Sequence, residues 1–159
     1  MERVDFRQAT AADLPAMLRM LVDDEFAQAR GGYGAEVTPA VAAAFDEIVR
    51  DANNELWVGE VGGEVVAMLQ LTLIPGLSRG GMRRALVEAV RVRSDLRNRG
   101  IGEALLAHAE QRARAAGCGL IQLTTDRKRL AAHRFYERIG YEPSHLGMKK
   151  KLPPAGERG

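Results

Sequence analysis

Apolar and polar residues repeat with two different periods along this chain, and the changes of period mark its elements. Near the start, Val4 and Phe6 alternate with polar neighbours, which predicts a short strand. In TAADLPAMLRML, Leu14, Met17, Leu18 and Leu21 recur at helical spacing, with Thr10 as N-cap and Asp13 favourably placed at the helix N-terminus. ARGGYGAEV interrupts that pattern and TPAVAAAFDEIV restarts it, with Thr38 as cap and Pro39 at the first helical position. From Glu55 the period becomes two: ELWVGEV and EVVAMLQLTLI flank Gly62-Gly63, a hairpin signature. IPGLSRGGMRR reads as a loop and ALVEAVRV as another strand. Ile101, Leu105, Ala109, Ala113 and Ala116 then form the apolar stripe of a helix that closes at Gly117. LIQLTT predicts a strand, and Ala132, Phe135, Tyr136 and Ile139 predict a last helix stopped by Gly140. A final strand is expected over 141–152.

The resulting order is β-α-α-β-β-β-α-β-α-β, antiparallel hairpins followed by a strand-helix-strand unit that pairs in parallel. This is an α/β chain with a mixed sheet (α+β), read as a single domain over 1–152 with PPAGERG, 153–159, as a disordered tail. No internal repeat or linker interrupts it.

Composition narrows the classes. The 159 residues suffice for one well-filled core, and 46% hydrophobic with 28% charged residues is a globular balance. A net charge of +2 excludes a polybasic protein held to nucleic acid by bulk charge. The single Cys118 excludes an intrachain disulfide and a cage of several thiolates. His108, His133 and His145 lack close metal-ligand spacing, so no metal is expected. The first ten residues carry charges and no apolar run, and nothing approaches the roughly 18 apolar residues of a membrane span. A cytoplasmic protein with no membrane partner is the expectation.

The candidate chemistry begins in LRNRGIGEALL, residues 96–106. A helix N-terminus presents unpaired amide N–H groups and the positive end of the macrodipole. A turn that points its own amides the same way makes an anion cradle suited to phosphate. Gly100 and Gly102 let a ligand approach the backbone, and Arg97 and Arg99 add charge at the rim. Glu103 after Gly102 does not fit a nucleotide P-loop, and Leu105 stands where a dinucleotide fingerprint needs its third glycine. The plain alternative is a glycine-containing turn with solvated arginines.

Arg97-x-x-Gly100-x-Gly102, after the strand VEAVRV and opening a helix, resembles the acyl-CoA-binding signature of the GNAT superfamily of N-acetyltransferases. AAHRFYERIGY, 131–141, is similar to that superfamily's helix-to-strand stretch, and the element order matches over 3–152. The stretch LTTDRKRLAAHRFYERIGYEPSH further resembles small-molecule amine acetyltransferases of the aminoalkylphosphonate type. The resemblance implies a GNAT-like fold, acetyl-CoA as co-substrate and a homodimer. It also implies that Arg97, Asn98, Arg99, Gly100, Ile101 and Gly102 hold the pyrophosphate through backbone amides, while the strand containing Val90 and Val92 pairs with the pantetheine arm. Tyr136 would protonate the departing thiolate. Many relatives have an asparagine, a pantetheine contact, where this chain has Arg129; Arg127, Lys128 and Arg129 offer charge to the 3′-phosphate.

Acetyl transfer to an amine also needs a base, since an amine of pKa about 10 is protonated at neutral pH. Glu88, flanked by apolar residues in LVEAV, is the candidate, partial desolvation raising its pKa; the alternative is a charge on the solvent face of a strand. A backbone N–H near Val92 would meet the oxyanion. By its spacing alone, beside Phe135 and Ile139, Tyr136 reads most simply as a core aromatic, and it is the resemblance that favours the catalytic role. Cys118 reads as a small buried side chain and the DDE at 23–25 as a solvated face. Arg79, Arg83 and Arg84 are candidates to meet an anionic acceptor, and Tyr33 to line its wall. Three functions stand open: acetyl transfer to a small-molecule primary amine, acetyl transfer to a protein N-terminus or lysine, and a CoA-binding module without turnover. RRALVEAVRVRSDLRNR lacks interleaved stacking aromatics, so a nucleic-acid partner is not expected.

Overall fold

The computed structural model describes residues 3–29 and 33–156 and falls into two compact units, 1–123 and 124–159. The first unit is built on a five-stranded sheet in sequential order: β1 (Asp5–Gln8), β2 (Asn54–Val61), β3 (Glu64–Ile74), β4 (Arg83–Val92) and β5 (Cys118–Leu123). The first three pairings are antiparallel, and β4 with β5 is parallel. Gly62 and Gly63 join β2 to β3 with φ of 60° and 82°, the left-handed pair that a tight hairpin turn requires.

Helices cover both faces. On one lie α1 (Leu14–Val22), the short α2 (Glu25–Ala29) and α3 (Pro39–Arg50). Leu14, Met17 and Met20 of α1 and Phe45 of α3 pack with Leu56, Val58 and Met68 of the sheet. Thr38 caps α3 as the sequence predicts, whereas Thr10 opens a 3-10 turn, Ala11–Asp13, and Asp13 is itself the N-cap of α1. Thr38 Oγ1 accepts from the Val41 N–H at 3.2 Å, and Asp13 Oδ2 accepts from the Thr10 N–H at 2.7 Å. Asp13 also takes both ends of the Arg7 fork, at 2.7 and 2.8 Å, which is how a carboxylate is tolerated among buried residues.

The opposite face belongs to α5 (Ile101–Ala115). Its Ile101, Leu105, Leu106, Ala109 and Ala113 are buried and the helix packs on β3, β4 and β5, as the stripe predicts. Gly117, at φ 78°, ends it. A short turn, α4 (Ser78–Gly81), with Arg79 and Gly80 at left-handed φ of 55° and 72°, lies in the expected loop before β4.

The second unit holds α6 (Leu130–Arg138), followed by Gly140 at φ 100°. The strand expected over 141–152 is not formed: among the described residues no strand follows β5. A strand exists by pairing, and this unit offers no other strand, while Pro143 lacks the N–H a ladder needs. Leu146 and Met148 are accordingly exposed. Residues 153–156 carry no helix or strand, and 157–159 of the expected tail lie outside the described residues.

Candidate active site

Two features of β4 prepare a site. The first is a bulge. Met68 of β3 pairs with Arg91 and Gln70 with Glu88, so Ala89 and Val90 face one residue of β3. Ala89 takes φ 53°, a left-handed conformation unusual for alanine. The second is an open edge. The β5 register ends at Val87↔Leu123, so among the described residues β4 runs on from Glu88 to Val92 without a ladder on that side. The Arg93 N–H donates to Val66 O at 2.8 Å, toward β3, and strand alternation therefore turns the Val92 N–H toward the open side. Arg91 Nη1 donates to Val90 O at 2.8 Å, and Arg97 Nε to Val92 O at 3.3 Å.

The open edge leads into the turn at 97–100. Asn98, at φ 62°, and Gly100, at φ 80°, both adopt left-handed backbone, and Gly100 is the N-cap of α5 without a side-chain cap. Such a turn folds back so that successive N–H groups line a concavity. Arg97, Asn98 and Arg99 are exposed around it, Gly102 lies in the first turn of α5, and Ile101 is buried and anchors the helix end. The structure thus brings Val90, Val92 and the 97–102 segment together along one strand, turn and helix.

Glu88 precedes the bulge, and its side chain is exposed; the partial desolvation expected from its apolar neighbours is not met, because Val87 turns into the buried face. Tyr136 and Arg129 belong to the second unit. Tyr136 stacks edge-on with Phe135 at 5.2 Å and with Tyr141 at 5.8 Å. Arg129 is the residue just before α6. His133 Nε2 lies 2.8 Å from Asp126 O, and His145 Nδ1 lies 2.7 Å from Ser144 Oγ. No three His, Cys, Asp or Glu side chains among the described residues form a group that could hold a metal. Burial pushes the Cys118 thiol up, so it stays protonated and un-nucleophilic. Tyr33 is exposed, and 30–32 of that segment lie outside the described residues.

Sequence reasoning missed one contact. Asp24, expected on a solvated face, is nearly buried and pairs with Arg91 at 3.3 Å, tying the α1–α2 junction to the strand just past the bulge. Nothing local signals this partnership, because the two residues lie far apart in the chain. Nor does an alanine announce a left-handed bulge.

The model of the acetyltransferase (GNAT) family matches residues 16–141, from α1 through the 97–102 turn and past the end of α6. The chain belongs to the GNAT acetyltransferase family. That family's reaction is acyl transfer from acetyl-CoA, and its fold is the mixed sheet with helices seen here. Over 90 residues, 57% of the chain, it is 43% identical to the aminoalkylphosphonate N-acetyltransferase of Salmonella typhimurium. Over the same length it is 30% identical to the glucosamine 6-phosphate N-acetyltransferase of Trypanosoma brucei brucei. These matches span 58% and 59% of those relatives. A solved structure of a transcriptional regulator from Bacillus halodurans C-125 has a TM-score of 0.89 and 45% identity, covering 94% of this GNAT chain and all of that one. Among the described residues no helix is long and apolar enough to cross a membrane.

Proposed function

We propose that this GNAT protein transfers the acetyl group of acetyl-CoA to a primary amine of a small molecule. The observation that carries the reading is the open edge of β4 beyond Val87, running past a bulge into the left-handed turn that caps α5. An extended arm with amides fits such an edge, and a pyrophosphate fits the helix N-terminus. In this reading Val90 and Val92 pair with the pantetheine, and Arg97, Asn98, Arg99, Gly100, Ile101 and Gly102 hold the pyrophosphate. Arg129, with Arg127 and Lys128, supplies charge toward the coenzyme's phosphates. The small-molecule class is supported by the two curated relatives, whose names specify an aminoalkylphosphonate and a sugar-phosphate amine.

Direct attack on the thioester then needs three services. Glu88 takes the proton from the acceptor ammonium, directly or through water, a role its exposed position allows. The outward N–H of Val92 meets the oxyanion as the carbonyl becomes tetrahedral. Tyr136 returns a proton to the departing CoA thiolate. In this reading the catalytic domain spans 1–152 and works in the cytoplasm as a homodimer. A nucleic-acid reading is not favoured, because basic residues of the 83–97 segment are engaged: Arg91 with Asp24, Arg93 with Glu64 and Asp95, Arg83 with Asn53.

The test is calorimetric titration with acetyl-CoA. Saturable binding by the wild type, lost in Gly102→Glu, is expected; no binding at high coenzyme concentration would sink the reading. Product formation with free amines but not with peptide N-termini or lysines separates the small-molecule reading from protein acetylation.

A further inference from the structure

The sheet face that carries Glu88 carries a second charge. Strand alternation puts Arg84, Leu86 and Glu88 on one face of β4, opposite Ile74, Thr72 and Gln70 of β3. The floor they form is polar for a sheet face. Asn54 Oδ1 accepts from Thr72 Oγ1 at 2.7 Å and from Gln70 Nε2 at 3.2 Å. Asn54 Nδ2 in turn donates to Asp51 Oδ2 at 2.8 Å.

Arg84 is the anomaly on this floor. Of the three arginines of β4, Arg83 donates to Asn53 Oδ1 at 2.6 Å and to Ala116 O at 3.3 Å, and Arg91 pairs with Asp24. Among the described residues the Arg84 side chain makes no hydrogen bond and no ion pair, yet its Nε is buried from solvent. Its Nη1 lies 3.9 Å from where a side chain on Gly76 would begin, so the guanidinium sits beneath the turn that leaves β3. A half-buried guanidinium without an anion has lost hydration and gained nothing for it. Arginine's planar fork is matched to carboxylate and to the oxygens of phosphate or phosphonate.

We infer that Arg84 binds an anionic group on the acceptor, so that the substrate is a short amphoteric molecule with an amine at Glu88 and a phosphonate, phosphate or carboxylate at Arg84. The inference rests on the acetyl-transfer reading above. The Cα atoms of residues four apart on a strand are about 13 Å from one another, and the long arginine arm shortens the gap to a few bonds. Half-buried Leu86 lies between them as an apolar floor for the connecting carbons. Arg79, exposed on α4, and Arg83, already engaged, are not needed. Of the three arginines that the sequence offered for an anionic acceptor, one keeps the role.

The test compares acceptors that differ only at the far end: aminoethylphosphonate, phosphoethanolamine, β-alanine and propylamine, each with saturating acetyl-CoA. The wild type is expected to prefer one anionic class over propylamine. Arg84→Gln should raise KM for that class by about 30- to 100-fold, the order of a charge-assisted pair, while leaving propylamine turnover and acetyl-CoA binding unchanged. Arg84→Lys should recover part of the loss. The ranking among the three anions names the head group. Equal losses on all four acceptors, or none, would overturn the inference while leaving acetyl transfer intact. Should no acceptor react, the same anions are tested by thermal shift in the presence of CoA. Stabilisation by the preferred anion that disappears in Arg84→Gln supports the site, and equal shifts in both proteins reject it. Failure of acetyl-CoA to bind at all would instead remove the acetyl-transfer reading.

Discussion

At the scale of single residues, the first unit places its less common side chains where each has a physical consequence. His108 of α5 lies flat against Phe6, with ring centroids 4.7 Å apart, and edge-on to Trp57 at 4.3 Å. Its Nε2 is buried with no hydrogen-bond partner among the described residues. Burial, and then the positive charge of Arg112, hold its pKa below the ordinary value, and Glu55 offsets this only in part. A histidine whose folded pKa is depressed binds its proton more readily in the unfolded chain. Its stabilising contribution is therefore fully present above the unfolded pKa of about 6.5 and is lost as pH falls from there through the lower folded pKa. His108→Phe keeps the stack and removes the titration. Melting temperatures between pH 7.5 and 5.5 are expected to fall less in that variant than in the wild type, and parallel profiles would refute the assignment. At lower pH a second loss follows. Burial alone would raise Glu55, but hydrogen bonds from Arg112 and Trp57 hold it below the usual carboxylate range, so its contribution disappears only when it protonates. Glu88 answers to a different readout. Replacing it by Gln removes the proposed base while keeping size, so kcat should fall by about 10²-fold or more with acetyl-CoA binding unchanged. An unaltered pH–rate profile in that variant would assign the proton transfer elsewhere.

At the scale of elements, legibility in the sequence followed the reach of the signal. The helices α1, α3 and α5 and the β2–β3 hairpin are written locally, in Thr38-Pro39, Gly62-Gly63, Gly117 and an unbroken apolar stripe. The left-handed turn before α5 was legible for the same reason, since its glycine and the helix start are consecutive residues. What was not legible depends on distant partners. The bulge at Ala89 is set by the mismatch between β3 and β4, and the burial of Asp24 by Arg91 across the sheet. The misread final strand is the converse case: Leu146, Met148 and Leu152 alternate in sequence, yet alternation without a neighbouring strand makes no ladder. Packing adds a quantitative expectation. Leu105 is fully buried at the centre of the α5 stripe. Truncation to Ala should cost about 2–5 kcal/mol, read by urea denaturation with an unchanged m-value. A loss well under that range would mean the α5 face is looser than its burial indicates.

At the scale of the whole molecule, coenzyme binding and stability are one equilibrium seen from two sides. A ligand that binds only the folded state stabilises it by RT ln(1 + [L]/Kd), about 2.7 kcal/mol at a hundredfold excess over Kd. For a chain of 159 residues this corresponds to a rise in Tm of roughly 5–11 °C. Acetyl-CoA is expected to produce that rise, dephospho-CoA a smaller one because it lacks the phosphate offered to Arg127, Lys128 and Arg129, and NADH none. Hydrogen exchange locates the effect. The proposed roles of Val90, Val92 and the 97–102 turn require slowed exchange along the end of β4 and the start of α5. The proposed roles of Arg129 and Tyr136 require slowing over α6 as well, in the second unit. Protection confined to the first unit would keep the cradle but remove Tyr136 as the proton donor, and the thiolate would then have to take its proton from solvent.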